Sequence, residues 1–126
     1  MNMFLNRFEP LINKYPSDAD ALSRVAEFFS VRELRGLEFS SLRITPERLQ
    51  TIANINNAAR LSRLINVLIT EKILDRSVVI NSPTGGGIAE FDSIADVPNV
   101  IHDTFRDVDM EVTAGDLKTL YRVHTV

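Results

Sequence analysis

Residues 45–74 read TPERLQTIANINNAARLSRLINVLITEKIL, and the fold turns on how that stretch is punctuated. Thr45 suits an N-cap, Pro46 has the φ favoured at a first helical position, and Glu47 complements the positive end of a helix dipole. A helix is therefore expected from Pro46, with Leu49, Ile52 and Ala53 facing inward. It should stop near Asn54, because asparagine tolerates turn conformations and Asn54-Ile55-Asn56-Asn57 is rich in it. Asn56 or Asn57 then caps a longer helix running to about Leu74. At about 100° per residue, Leu61, Leu64, Ile65, Leu68 and Ile69 share one arc of that helix. Ala59, Ser62, Arg63, Asn66 and Thr70 lie on the opposite arc, so one side packs and the other is left free.

Upstream, Phe4, Phe8, Leu11, Ile12 and Tyr15 recur at spacings of three and four, which predicts a short amphipathic helix broken at Pro10. That stripe either covers the chain's own core or supplies a homodimer contact through Phe4, Phe8, Leu11 and Tyr15. Ser17 or Asp18 offers an N-cap for a helix through about Ser30, with Leu22, Val25, Ala26 and Phe29 on one side. Val31–Leu42 fits either a longer helix or, from Gly36, a turn and a short strand. Downstream the period changes. The β-branched run Val78-Val79-Ile80, the turn Pro83-Thr84-Gly85-Gly86-Gly87 and the return Ile88–Phe91 make a β-hairpin signature. In the tail, Pro98 precedes an expected short helix with Val100, Ile101 and Phe105, followed by a strand at Met110–Val112. Thr113 and Asp116 resemble a capping box for a final helix carrying Leu117, Leu120 and Tyr121.

The chain has 126 residues, 44% hydrophobic and 25% charged, with a net charge of −3. This describes one globular domain over 1–126: a helical extension at 1–16, a core at 18–92 and an acidic extension at 93–126. No apolar run approaches the roughly 18–20 residues of a membrane span, and Met1–Pro10 does not have the form of a secretory signal. A cytoplasmic protein with no membrane partner is expected. Without cysteine there is no disulfide framework, thiolate metal site or cysteine nucleophile. The charge is uneven: residues 1–76 hold eleven Lys/Arg against nine Asp/Glu, whereas 77–126 hold three against eight. No acid occurs between Glu47 and Glu71, a local bias compatible with nucleic-acid contact.

The order helix, short helix, asparagine-rich turn, longer helix and glycine-containing hairpin resembles the winged helix-turn-helix superfamily over about 18–91. The residues carrying the likeness are Thr45-Pro46-Glu47-Arg48-Leu49, the Asn54–Asn57 turn, Leu61–Leu74 and Gly85-Gly86-Gly87. The resemblance implies an α+β, mainly helical fold: a winged helix-turn-helix-like domain with an N-terminal helical extension and a C-terminal strand-helix tail. It also implies that the second helix of the pair enters the major groove of double-stranded DNA while the hairpin wing, Thr84 to Gly87, lies over the adjacent backbone. Arg63 and Asn66 are then the candidate base readers, since such side chains make bidentate contacts with guanine and adenine edges. Asn57, Ser62 and Thr70 are candidates for phosphate or base contact, and Arg43, Arg48 and Arg60 for backbone contact. The wing carries no Lys or Arg at its tip and is followed by Glu90 and Asp92, which favours the alternative role of a protein-protein adaptor within a multi-protein assembly.

Catalytic and cofactor chemistry find little support. Pro83–Ile88 lacks the Gly-Lys-Ser/Thr ending of a nucleotide loop and precedes a strand. Asp103, Asp107, Asp109 and Glu111 near His102 do not have calcium-loop spacing. No nucleophile elbow is present. The expected protein is a non-catalytic DNA-binding regulator or accessory factor, without metal or cofactor, and a candidate homodimer because two-fold symmetry doubles the length of DNA read.

Overall fold

The computed structural model describes residues 3–124, with side chains placed from Asn6 onward. The fold is α+β, with four α-helices and two small sheets among the described residues. The helices are α1 (Met3–Lys14), α2 (Ala19–Leu34), α3 (Pro46–Ala53) and α4 (Ala58–Thr70). The strands are β1 (Leu74–Asn81), β2 (Gly87–Phe91), β3 (Val100–Asp103), β4 (Val108–Glu111) and β5 (Leu117–Val123). The described residues fall into two compact units, 3–75 with 122–124 and 76–121. The 77–91 hairpin, placed with the helices by the sequence, belongs to the second unit together with most of the tail.

The first unit is organised by helix ends. Thr45 Oγ1 accepts the Arg48 amide at 3.0 Å and Asn57 Oδ1 accepts the Arg60 amide at 3.1 Å, each satisfying a donor that a helix start leaves open. Thr45→Ala is expected to lower stability by about 1 kcal/mol and Thr45→Ser to change it little, read as a shift of the urea midpoint. The helix ends are equally local. Gly36, Asn54 and Lys72 have φ of 69°, 55° and 59°, and each closes a double hydrogen bond back onto its helix. Thus Leu37 N bonds Arg32 O, Ile55 N bonds Gln50 O and Ile73 N bonds Leu68 O, the Schellman arrangement. Lys72 ends α4 at Thr70, four residues before the expected stop at Leu74, which instead begins β1.

The core of this unit takes Leu22, Val25, Ala26 and Phe29 from α2, Leu49 and Ala53 from α3, and Leu64, Ile65, Val67 and Leu68 from α4. From α1 it takes Phe8 and Leu11. These two candidate dimer contacts are thus spent on the chain's own interior, while Tyr15 is half-buried and Phe4 lies outside the described side chains. The expected break at Pro10 does not occur. Pro10 and Asn6 are both exposed, so the Asn6 carbonyl that lacks its usual partner faces water and the helix continues.

In the second unit β1 and β2 pair antiparallel, Val78 opposite Phe91 and Ile80 opposite Ala89, with a register shift after Ile80. Pro83 occupies a turn closed by the Gly85 amide on Ser82 O at 2.8 Å, and Gly85 takes the positive φ of 101° that follows it. The sheet order is β2-β1-β5. Two expectations for the tail are corrected. The helix expected after Pro98 is strand β3, paired antiparallel with β4 from Val100 opposite Glu111 to Asp103 opposite Val108. Asp103 Oδ1 accepts the amides of Phe105 and Arg106, a local turn that competes with a helix. The final helix is strand β5. The Thr113/Asp116 capping box exists but caps a single 3₁₀ turn, Ala114–Asp116. Thr119, Tyr121 and Val123 then alternate as β-formers, with Tyr121 and Val123 buried.

Candidate functional site

The predicted DNA-contact residues all lie in the first unit, but the structure uses them differently. Helix α4 leaves the expected free arc of Ala59, Ser62, Arg63, Asn66 and Thr70 exposed along its outer side, and Arg60 is exposed as well. Asn57 is committed through its side-chain oxygen to the cap. Arg63 is committed as well: its Nε lies 3.1 and 3.0 Å from the two carboxylate oxygens of Asp18, and its Nη2 lies 2.8 Å from Oδ1. Asp18 is only 3% exposed, so this fork compensates a buried carboxylate at the start of α2, where Asp18 forms no helix cap. Arg63 thus spends its Nε and one Nη2 hydrogen on Asp18, while its side chain stays 50% exposed on the outer side of α4. Arg43 donates to the carbonyls of Ser40 and Leu42.

Arg48 belongs elsewhere. Its guanidinium lies 5.5 Å from the ring centre of Phe28, on the wall of a groove of about 480 Å³ between α2 and α3. Arg24, Glu27, Phe28, Val31, Arg32, Arg35, Leu37 and Ile52 complete the lining. Arg24 Nη1 donates to Ala53 O at 3.4 Å, and Arg32 Nη2 donates to Glu38 O at 3.0 Å. Both partners are backbone carbonyls, so four cations converge where the lining supplies one carboxylate, Glu27. Sequence reasoning missed Arg24, Arg32 and Arg35. The signal was present as a second stripe along α2 and its C-cap, Arg24, Phe28, Val31, Arg32 and Arg35, adjoining the buried stripe of Leu22, Val25, Ala26 and Phe29.

In the second unit, Thr84 and Gly85 lie in the β1–β2 turn and Gly87 starts β2. Thr84 Oγ1 donates to Ser82 Oγ at 2.9 Å. Gly86 lies under the Phe105 ring, where an added Cβ would come within 2.4 Å of Cζ. The acidic set near His102 divides in two. Asp103 is 0% exposed, accepts Ser82 Oγ and Arg106 Nε at 2.6 Å each, and faces the turn rather than His102. Burial alone would raise its pKa; the hydrogen bonds from Ser82, Arg106 and two amides overcome that and hold it at about 2. His102 sits between Asp109 on Nδ1 at 2.8 Å and Asp107 on Nε2 at 3.0 Å. Hydrogen bonding to Asp109, then to Asp107, raises its pKa and favours the imidazolium. Among the described residues no group of three or more His, Asp or Glu side chains is arranged to hold a metal ion. No helix there is long and apolar enough to cross a membrane.

None of the known protein families, curated proteins or solved structures compared with the chain matches it.

Proposed function

We propose that the chain is a winged-helix-type, non-catalytic protein that binds double-stranded DNA through the outer face of α4, acting as a regulator or DNA-directed accessory factor. The observation that carries this reading is the exposed α4 face. It is entered through the capped Asn54–Asn57 turn and presents Arg60, Ser62, Asn66 and Thr70, with no acid between Glu47 and Glu71. An α-helix fits the major groove, its N-terminal amides favour phosphate, and an amide side chain such as that of Asn66 pairs with an adenine edge. The succession α2, α3, α4 and the β1–β2 hairpin supports the winged-helix assignment. One observation favours a protein partner instead: residues 76–121 carry three basic and eight acidic side chains, and the hairpin turn has no cation.

Fluorescence anisotropy on a labelled mixed-sequence duplex tests the proposal. Affinity should fall steeply between about 50 and 200 mM salt, and Arg60→Ala should flatten the log–log salt slope by about 0.9. Asn66→Ala should cost about 1–3 kcal/mol of discrimination between sequences. Affinity indifferent to salt, or unchanged in the Arg60→Ala/Asn66→Ala double variant, transfers the α4 face to the protein-partner reading.

A further inference from the structure

The groove between α2 and α3 shares no residue with the α4 face proposed for DNA, and its lining has a chemistry of its own. Four guanidiniums, Arg24, Arg32, Arg35 and Arg48, meet one carboxylate, Glu27, around an apolar set of Phe28, Val31, Leu37 and Ile52. Val31 and Leu37 are 40% and 44% exposed, so large apolar side chains open to water lie beside a charge surplus. Three of the cations are held by contacts other than ion pairs: Arg48 by the Phe28 ring, Arg32 by Glu38 O and the Phe39 ring at 5.9 Å, and Arg24 by Ala53 O. Each guanidinium has five N–H donors, so these contacts leave most of them for an acceptor. Arg32 Nε is already covered from solvent and has no hydrogen-bond partner.

We propose that this groove binds a small amphipathic anion, a molecule with one carboxylate, sulfonate or phosphate headgroup on an apolar ring or chain. Arginine forks match the planar or tetrahedral oxygens of such headgroups, and the Phe28, Val31, Leu37 and Ile52 surface takes the apolar body. A volume of about 480 Å³ lies within the range of about 300–1,000 Å³ typical of small-ligand pockets. A bare phosphate would leave the apolar lining in water, and a neutral apolar ligand would leave the cations uncompensated. An acidic peptide would call for a longer track than one bounded by α2, α3 and the turn at Leu37.

The test uses the full chain with 1-anilinonaphthalene-8-sulfonate as the fluorescent probe. The expected result is saturable binding of one probe per chain, displaced by laurate but not by lauryl alcohol or inorganic phosphate. Arg35→Ala/Arg48→Ala should weaken binding about tenfold or more, the loss of two charge-assisted contacts, and Lys118→Ala should leave it unchanged. Both arginines are exposed, and Val31→Asp places a carboxylate in the groove at another exposed position; it should abolish binding while the urea midpoint holds. Equal displacement by lauryl alcohol would make the groove merely apolar, and displacement by phosphate alone would make it an adventitious anion site. Probe binding that ignores the variants, or that accompanies loss of the near-ultraviolet circular dichroism, overturns the proposal. So does tighter displacement by a glutamate-rich amphipathic peptide, which assigns the face to a protein partner.

Discussion

Phe29→Ala is expected to remove about 3–5 kcal/mol of stability, a large part of the roughly 5–15 kcal/mol of an ordinary domain. Phe29 is 0% exposed, and among the described residues its ring meets Phe28 at 5.4 Å, Phe39 at 6.0 Å and Phe8 at 6.3 Å between ring centres. The Phe28 and Phe39 contacts are edge-on, the geometry in which ring quadrupoles attract. Truncation would open a cavity between α1, α2 and the 35–44 segment, and rings of that size cannot collapse to fill it. Urea denaturation followed by circular dichroism gives the number, with Leu34→Ala as the reference. Leu34 lies five residues away on the same helix but is 80% exposed, and its loss should stay within about 0.5 kcal/mol. A loss below about 1 kcal/mol in Phe29→Ala would show that the aromatic cluster is not the centre of this unit.

The second large effect is acid sensitivity of the 76–121 unit through Asp103. Its folded pKa is about 2, below the unfolded value of about 3.9. A depressed acid contributes stability that is fully present above the unfolded pKa and is lost as pH falls through the folded one. The unit should therefore loosen between about pH 4 and pH 2 as Ser82, Arg106 and two backbone amides lose an ionised acceptor. Asp103→Asn should remove that acid step and destabilise the unit at neutral pH, because the amide cannot accept at both oxygen positions. Proton resonances of Gly85, Gly86, Phe105 and Arg106 followed against pH separate the cases. Their indifference to the substitution between pH 4 and 7 would show that Asp103 does not hold the two turns.

The parts legible in the sequence were those whose cause is local. Thr45-Pro46-Glu47 and Asn57 encode helix starts within four residues, and the apolar arc of α4 is carried by its own spacing. Pro83 with Gly85 encodes a turn in the same local way. The tail failed for a physical reason: Leu117, Leu120 and Tyr121 fit a helical spacing, and the feature that decides for a strand is β1, some forty residues earlier. The partner of Arg63 was hidden likewise. The spacing of Arg63 marks it as outward, and nothing near it in the chain announces a buried carboxylate forty-five positions away at Asp18. The arginine groove needed two helices to be packed before its charges became neighbours, although the α2 stripe was visible.

The Arg63–Asp18 fork also bears on the entropy of association. Three charge-assisted hydrogen bonds tie the middle of α4 to the chain entering α2, so α4 cannot roll about its own axis without stripping a buried carboxylate of its counter-charge. Whatever meets Arg60, Ser62 and Asn66 meets side chains displayed at a bearing fixed before contact. The cost of orienting that helix is borne during folding and is not charged again on binding.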